Sequence, residues 1–382
     1  MEGEINNYIK VWFIVILSLC YSYTIGKFVP KGIPRLLAII PIVYLFLLLP
    51  LNLHSMHLGG MFAFFIAWLG NFKLLLFALG KGPLSDPSIT FKRFIAVASL
   101  PIKIQQNYPS SKLHTNGQNK SNPLENGQIK QNPEAKKSEK GHKSFGNYAI
   151  KVLLLAILIK VYDYSCYMHP KLVLILYCIH IYFCLELILA MVATMARAIF
   201  GFELESQFND PHLSTSLQDF WGRRWNIMVS SILRPTVYEP FRHLTAPLIG
   251  REWAALPAVF CTFLVSGLMH ELIFYYLGRV KPTWEITWFF ILHGVCLTIE
   301  IGLKKTGTGK FRLHRLLSGP LTLGFLISTA FWLFFPQLLR CNFDERAFEE
   351  YAEIGAFVKD FTRALTSKTF DASRGLSLLY NK

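Results

Sequence analysis

Long apolar segments alternate with short polar ones along most of the chain. A helix that crosses a bilayer needs about 20 mainly apolar residues, and residues 36–72 form a run of 37 without Lys, Arg, Asp or Glu. Pro50 and the polar patch at residues 52–57 divide this run into two spans. The complete pattern predicts about eight transmembrane helices, at residues 11–25, twice within 36–72, and at 148–164, 172–199, 253–277, 283–303 and 316–339.

The predicted fold class is therefore an all-α, polytopic transmembrane helical bundle. Hydrophobic residues make up 52% of the 382-residue chain and charged residues 16%, whereas soluble domains carry about 25% charge. This composition excludes disordered, collagen-like and disulfide-rich secreted proteins. Seven cysteines are an odd number, and buried thiols are expected at the five within apolar runs, Cys20, Cys178, Cys184, Cys261 and Cys296.

Basic residues recur on alternate loops, and they predict the orientation in the membrane. The net charge of +15 would suggest a nucleic-acid partner in a soluble protein, but here the positive-inside rule explains it. Lys27, Lys31 and Arg35 lie in the first loop, and basic residues also prevail at residues 81–147 and 304–315. These loops are expected in the cytosol, with the N-terminus and the C-terminal tail on the other side.

The composition of the chain divides it into four segments. Residues 1–104 are expected to hold the N-terminal transmembrane helices and, at residues 91–104, an interfacial amphipathic helix. Residues 105–147 are rich in Asn, Gln, Lys, Ser and Pro and too poor in apolar residues to fold, which predicts a disordered, basic cytosolic loop. Residues 148–340 would form a catalytic transmembrane core, and residues 341–382 a C-terminal tail.

Residues 208–226 mix aromatic rings, acids, amides and two adjacent arginines next to a long apolar segment. Trp221 and Trp225 are four residues apart, so on a helix they share one face. Asp219 and Arg223 have the same spacing and can pair. The segment is either an interfacial helix with lipid-contacting arginines or an anion-binding mouth, since the planar donor fork of Arg suits phosphate.

A second polar group, around His270, occupies the middle of the apolar segment 253–277. Ser266 and Gly267 are small enough for another helix or a ligand to approach closely. An ionisable residue at membrane depth is costly unless it faces a partner or a cavity. His270 is therefore either a satisfied structural group or a catalytic base, and Glu271 either orients its imidazole or pairs with an arginine elsewhere.

No metal site is predicted. The dipeptide His270-Glu271 lacks the second His of the zinc-protease motif, because Phe274 occupies that position. The other histidines are scattered along the chain. His293, in the next apolar segment, is either a structural group or a residue that lines a cavity.

Three segments resemble the plant wax synthases, which are long-chain-alcohol O-fatty-acyltransferases of the membrane-bound O-acyltransferase superfamily. They are residues 216–226 (SLQDFWGRRWN), 265–274 (VSGLMHELIF) and 289–300 (FFILHGVCLTIE). The resemblance extends over residues 7–339, with a longer loop after Gln106 than is expected for the family. It implies acyl-CoA as a co-substrate, no permanently bound cofactor, a lipid alcohol as acceptor, and the endoplasmic reticulum membrane as location.

The resemblance also implies a catalytic pair, which it places at His270 and Asn226 of this chain. His270 would take the proton of the attacking hydroxyl group, and Asn226 would donate a hydrogen bond to the oxyanion. Arg223 and Arg224 are expected to bind the phosphates of CoA. The remaining candidates for the substrate tunnel are Asp219, Trp221, Trp225, Ser266, Glu271 and His293. No Ser or Cys is clearly placed as a nucleophile, which favours direct transfer.

Several alternatives stay open at this point. The resemblance allows a sterol or diacylglycerol as acceptor instead of a fatty alcohol, and acetyl-CoA instead of a long acyl-CoA. A function of another class is a proton-coupled transporter that uses His270, Glu186 and Glu300 as a relay. No inverted repeat supports that function. Membrane lipids are the expected surroundings, no nucleic acid is expected, and the sequence does not indicate an oligomeric state.

Overall fold

The computed structural model of the protein describes residues 2–104, 133–202, 204–307 and 314–380. The helices of the N-terminal half are α1 (Glu2–Phe28), α2 (Ile33–Leu48), α3 (Met56–Phe62), α4 (Asn71–Ala78), α5 (Phe91–Ser99), α6 (Pro133–Val161) and α7 (Pro170–Phe200). Those of the C-terminal half are α8 (Leu217–Asp219), α9 (Ile227–Leu233), α10 (Glu239–Ile249), α11 (Ala255–Gly278), α12 (Glu285–Lys305), α13 (Arg315–Thr329), α14 (Phe335–Arg340) and α15 (Phe343–Tyr380).

Wider and tighter helical turns connect several of these helices. Turns of π-helix, in which hydrogen bonds join residues five apart, occur at Ala63–Gly70, Phe220–Arg224, Arg234–Tyr238 and Ala330–Phe334. Short 3₁₀ turns occur at Leu49–Asn52, Pro83–Ser85, Tyr162–Tyr167 and Pro211–Leu213. In the described ranges the one β-type pairing is an isolated bridge between Ile104 and Leu204.

Seven described helical stretches are long and apolar enough to cross a membrane. They are Gly3–Phe28, Ile33–Asn52, Met56–Ala78, Pro170–Phe200, Ala255–Gly278, Glu285–Lys305 and Arg315–Arg340. Each coincides with a predicted span, which confirms an all-α, polytopic membrane protein. The eighth prediction, residues 148–164, falls on the end of α6 and the next turn. Lys151, Lys160 and Asp163 interrupt the apolar run there, and it is not among the seven.

The chain forms two compact units. Residues 1–101 and 208–382 make up the larger unit, and residues 102–207 the smaller one. The predicted disordered loop at 105–147 stays a prediction, because residues 105–132 lie outside the described residues. Helix α6 begins at Pro133, inside that predicted loop. The sequence-based division at residues 104, 147 and 340 likewise stays a prediction.

In the smaller unit, α6 and α7 are joined by an ion pair between Lys151 and Glu186. Glu186 lies in the middle of α7, between the charged residues Lys171 and Arg197 near its two ends. A lone carboxylate there would be costly, and the ammonium group of Lys151 offsets that cost. A second pair, between Lys103 Nζ and Glu205 Oε2 at 2.6 Å, lies next to the Ile104–Leu204 bridge.

The stretch Met56–Ala78 is the most buried of the candidate spans, with 78% of its apolar window inside the protein. Trp68, on its π-helical turn, is fully buried and packs against Leu233 and Val237. The span therefore forms the centre of the larger unit and brings an N-terminal aromatic ring close to the chain that follows α9.

The predicted amphipathic helix at residues 91–104 is present as α5, but it ends at Ser99. Pro101 accounts for the early end, because a proline disfavours helical backbone at the residue before it. The fully buried Lys73 holds this end. Its Nζ donates to the carbonyl oxygens of Val97 and Leu100, both at 2.6 Å. Lys73, whose sequence neighbours are mainly apolar, thus caps the C-terminal end of α5.

Helices α11 and α12 pack closely because each presents a glycine to the other. A methyl group added at Gly267 would lie 3.1 Å from the Cα atom of Thr287, and one added at Gly294 would lie 2.8 Å from the Cβ atom of Phe263. Larger side chains would force the helices apart. Ser266 and Gly267 were predicted to let another helix or a ligand approach. At Gly267 the approaching element is helix α12.

The C-terminal helix α15 is attached to the polar loop after α2. The Glu350 carboxylate accepts hydrogen bonds from the backbone N–H groups of Met56 and His57, and it contacts His57 Nδ1 at 2.6 Å. Burial raises the pKa of this carboxyl, but these hydrogen bonds outweigh burial and hold the pKa below its ordinary value. Arg346 donates to the carbonyl oxygen of Leu277 at 2.6 Å, so α15 also holds the end of α11.

Gly294→Ala is expected to destabilise the protein by about 1–3 kcal/mol, the usual cost of overpacking. Gly302→Ala is the matched control, because it lies on the same helix and an added methyl group there meets nothing within 4 Å. Thermal unfolding of the two purified variants in nanodiscs measures the difference. Equal stability of both variants would contradict close packing at Gly294.

Candidate active site

A cavity of about 330 Å³ lies within the larger unit, between the π-helical turn Phe220–Arg224, α9, α11 and α12. Its size is at the lower end of the range for small-molecule sites. The wall is mainly apolar and aromatic, and Asn226 and His270 both lie in it although they are 44 residues apart in sequence. Of the other sequence-predicted residues, Trp221, Trp225 and Ser266 also line the cavity.

His270 is held in one orientation by its own helix and by two rings. Its Nδ1 lies 2.7 Å from the carbonyl oxygen of Ser266, one turn earlier on α11. A carbonyl oxygen only accepts hydrogen bonds, so Nδ1 carries the proton and donates. Phe290 stacks on the imidazole at 4.2 Å between centroids, and Trp68 contacts it edge-on at 4.9 Å. Nε2 has no partner among the described residues and is the nitrogen left for a substrate.

Asn226 forms the junction between the π-helical turn and α9. Its backbone has a φ of 39°, a left-handed conformation that Asn tolerates better than most residues. The side-chain oxygen caps α9 by accepting from the N–H group of Val229 at 3.3 Å. The side-chain NH₂ group has no acceptor in the described part of the chain. The capping bond therefore leaves a donor available at the cavity wall.

The π-helical turn changes the predicted pairing of Asp219. An α-helix would bring Asp219 next to Arg223, four residues on. Because the turn is wider by one residue, the fifth residue takes that place, and Asp219 Oδ2 instead pairs with Arg224 Nε at 2.8 Å. The Trp225 N–H group donates to the carbonyl oxygen of Phe220 at 2.9 Å, with the same spacing. The expected Asp219–Arg223 pair was wrong for this reason.

The two adjacent arginines consequently have different roles. Besides its bond to Asp219, Arg224 donates through Nη1 to the carbonyl oxygens of Asn209 and Asp210, both at 3.2 Å. Its head group thus holds the preceding loop. Arg223 is exposed and forms no hydrogen bond or ion pair with any described residue. Only Arg223 of the pair has an uncommitted guanidinium.

The two tryptophans of this segment contact each other, with centroids 6.5 Å apart. Trp225 stacks on Phe220, and Trp221 packs edge-on against Phe263 of α11. Trp221 also contacts Phe290 of α12. It therefore forms the part of the cavity wall that contacts both helices.

His293 lies behind Trp221, outside the cavity wall, and is fully buried. Its Nδ1 accepts a hydrogen bond from Trp221 Nε1 at 3.2 Å. Its Nε2 lies 2.8 Å from the hydroxyl of Thr329, which itself donates to the Phe325 carbonyl oxygen. Nε2 must then donate to this hydroxyl. Both nitrogens are engaged, so His293 is a neutral group that fixes the Trp221 ring.

Glu271 is buried and caps α12. Its carboxylate accepts from the N–H group of Trp284 at 3.1 Å, and from both the N–H group and the hydroxyl of Thr287 at 3.2 Å. These are the free donors at the start of α12, where negative charge is favourable. Among the described residues Glu271 neither contacts the imidazole of His270 nor pairs with an arginine.

Residues 217–226, which include Trp221 and Trp225, form the tryptophan segment. Glu300, seven residues after His293 on the same face of α12, binds the start of this segment. Its Oε2 accepts from the N–H groups of Leu217 and Gln218, at 3.0 and 3.4 Å, and its Oε1 pairs with Lys304 at 2.5 Å. One face of α12 thus binds both the start of α8 and the ring of Trp221.

Sequence reasoning missed several residues of the wall, among them Trp68, Arg234 and Tyr238. Trp68 lies in an uninterrupted apolar run, where nothing distinguishes a cavity residue from a core residue. Arg234 and Tyr238 lie outside the segments with concentrated polar residues. Among the described residues no group of three or more His, Cys, Asp or Glu side chains could hold a metal ion.

Comparisons with known proteins agree with this arrangement. Residues 204–292 match the model of the "Membrane bound O-acyl transferase family". The chain is 42% identical to a "Long-chain-alcohol O-fatty-acyltransferase" of Simmondsia chinensis, over 92% of this chain and 95% of that protein. The chain belongs to the plant wax synthase family of membrane-bound O-acyltransferases. It is also 48% identical to an "Acyl-CoA--sterol O-acyltransferase 1" of Arabidopsis thaliana, over 95% of this chain and 99% of that protein.

Membership confirms the resemblance inferred from the three segments, and it makes this protein an integral membrane O-acyltransferase. The residues matched by the family model run from the loop before α8 to the middle of α12. They include both Asn226 and His270. The cavity wall is therefore built mainly from the part of the chain that defines the family.

Glu271→Gln is expected to lower the stability of this O-acyltransferase by about 1–3 kcal/mol, the cost of leaving buried donors without an acceptor. Gln offers one oxygen to three donors and turns an NH₂ group toward them. Activity should fall with stability, since α12 positions the cavity wall. The control is Glu252→Gln, whose side chain is exposed. Thermal unfolding in nanodiscs tests this, and an unshifted transition for Glu271→Gln would rule out the capping role.

Proposed function

We propose that the protein transfers an acyl group from acyl-CoA to the hydroxyl group of a lipid alcohol, in the membrane of the endoplasmic reticulum. One observation carries this proposal. The uncommitted Nε2 of His270 and the uncommitted amide of Asn226 lie in the wall of one apolar cavity. A proton acceptor and a hydrogen-bond donor are the two groups that attack on a thioester carbonyl requires.

In the proposed reaction the acceptor hydroxyl donates its hydrogen bond to His270 Nε2. As the alcohol oxygen attacks the thioester carbonyl, a C–O bond forms and the proton moves to Nε2. The negative charge that develops on the carbonyl oxygen is stabilised by the Asn226 amide. The C–S bond then breaks, and the CoA thiolate takes the proton from the imidazolium. The enzyme returns to its initial state, with the ester and free CoA as products.

The surroundings of His270 suit this role. The bond from Nδ1 to the Ser266 carbonyl oxygen selects the tautomer in which Nε2 is the base. Phe290 and Trp68 restrict the ring to one plane, so the imidazole loses little further orientational freedom when the reaction occurs. The apolar wall keeps water away from the thioester, which favours the alcohol over hydrolysis. The mechanism requires no permanently bound cofactor.

The acceptor we propose first is a long-chain fatty alcohol, so that the product is a wax ester. The relatives named as long-chain-alcohol acyltransferases, such as that of Simmondsia chinensis, support it. A sterol is the second candidate, and the relative at 48% identity favours it. Membrane fractions supplied with radiolabelled acyl-CoA and either dodecanol or a plant sterol distinguish the two by the ester that forms. Absence of any labelled ester would refute the acyltransferase proposal as a whole.

The contacts of Glu186 and Glu300 argue against the alternative function, a proton-coupled transporter that uses these carboxylates as a relay. Glu186 is already paired with Lys151, and Glu300 accepts two backbone hydrogen bonds and pairs with Lys304. Both carboxylates have partners that account for their presence in apolar segments. An acyltransferase uses the atoms of His270 and Asn226 that have no partner among the described residues, Nε2 and the NH₂ group, and it is the better explanation.

His270→Gln is expected to lower kcat at least 10²-fold, since Gln cannot accept a proton near neutral pH. The control is His293→Gln. Gln can accept from Trp221 Nε1 and donate to the Thr329 hydroxyl, so this variant should retain most of its activity. Initial rates of ester formation, normalised to the folded protein, measure both. An active His270→Gln enzyme would exclude the general-base mechanism.

Asn226 needs a substitution that preserves the backbone and the cap. Asn226→Asp keeps an oxygen for the Val229 N–H group and tolerates the left-handed conformation, but it replaces the amide donor by a carboxylate. We expect kcat to fall by about 10²–10³-fold, as for the loss of an oxyanion donor. Asn226→Gly, which keeps the conformation and removes the cap as well, separates catalysis from folding. Near-normal kcat in Asn226→Asp would show that the amide does not act on the oxyanion.

A further inference from the structure

The cavity wall contains one permanent cation among the described residues, Arg234. It follows α9 and opens the π-helical turn Arg234–Tyr238, whose first and last residues both line the cavity. The Arg234 side chain is 69% exposed, whereas most of the wall is apolar and buried or half-buried. Arg234 therefore marks the place where the apolar cavity meets an exposed, charged surface.

We propose that Arg234 binds the phosphate groups of the acyl donor, and that Glu239, which contacts one edge of the guanidinium in the empty enzyme, competes with them for its charge. The proposal rests on the acyl-CoA-dependent function given above. It assigns the donor's anionic part to the exposed end of the cavity and leaves the thioester for the end that holds His270 and Asn226.

The geometry of the Arg234–Glu239 pair supports a site that opens. Arg234 Nε lies 3.3 Å from Glu239 Oε1, a long contact made with one edge of the guanidinium. Nη1 and Nη2 have no partner among the described residues. These two nitrogens form the planar fork that binds phosphate oxygens in pairs. A surface ion pair of this kind contributes little stability, so its separation costs little when a phosphate approaches.

The other arginines near the cavity are less suited to bind the phosphate groups of the donor. The Arg224 head group is engaged by Asp219 and two carbonyl oxygens. Arg223 is free to contact the donor from outside, as the sequence suggests, but it does not line the cavity. Arg234 differs from both because its charge is available and its side chain belongs to the wall.

Substitution of Arg234 and substitution of Glu239 are expected to change the KM for acyl-CoA in opposite directions. Arg234→Gln removes the cation and should raise the KM for acyl-CoA about tenfold or more, with kcat within about twofold of wild type. Glu239→Gln removes the competing anion and should lower this KM. If the pair were only structural, both variants would impair the enzyme in the same direction. Arg242→Gln, an exposed arginine on the next helix, is the matched control.

The experiment measures initial rates for wild type and the three variants with two donors, acyl-CoA and the corresponding acyl-pantetheine, which lacks the phosphates. We expect the KM effects of Arg234→Gln and Glu239→Gln with acyl-CoA and their absence with acyl-pantetheine. Arg234→Lys should recover part of the affinity, since it restores the charge without the fork.

Equal KM changes with both donors, or a rise in KM for Glu239→Gln, would overturn the phosphate site. So would an Arg242→Gln enzyme that matches Arg234→Gln, because a general surface charge would then explain the effect. These outcomes all require a wild-type enzyme that forms ester from acyl-CoA. A wild-type enzyme that forms none refutes the proposed function itself.

Discussion

A single buried carboxylate, that of Glu271, joins the two halves of the candidate active site. It follows His270 on α11 and caps the first turn of α12. Helix α12 in turn holds the tryptophan segment through His293 and Glu300, and this segment ends at Asn226. The positions of His270 and Asn226 thus depend on one anion that satisfies three donors in an apolar environment.

The same physical rule explains which polar residues are available for chemistry. A polar group within the membrane is costly until it finds a partner, and Lys73, Glu186 and His293 have each found one. His270 and Asn226 use only half of their hydrogen-bonding capacity for structure. In both, the bond that fixes the side chain also orients the half that remains free, which is how a rigid protein keeps a polar group available to a ligand.

Much of the fold could be predicted from the sequence, because apolar length alone defines a membrane span. The segments that concentrate polar residues also indicated the cavity, since such residues are rare there. The hydrogen-bonding and ion-pair partners of these polar side chains could not be predicted. Asp219 pairs with Arg224 because the turn is π-helical, and Glu271 caps a helix that lies beyond the next loop. Trp68 contacts His270 from a distant span, and no local pattern encodes that contact.

The π-helical turn Phe220–Arg224 also constrains how this part of the chain can evolve. It accommodates one residue more than an α-helical turn of the same rise, and Asn226 follows directly after it. Deletion of one residue would restore a regular helix and rotate everything beyond by about 100°. The Asn226 side chain would then leave the cavity even though every neighbouring side chain was retained. The position of Asn226 at the cavity wall therefore depends on the number of residues in this segment as much as on their identity.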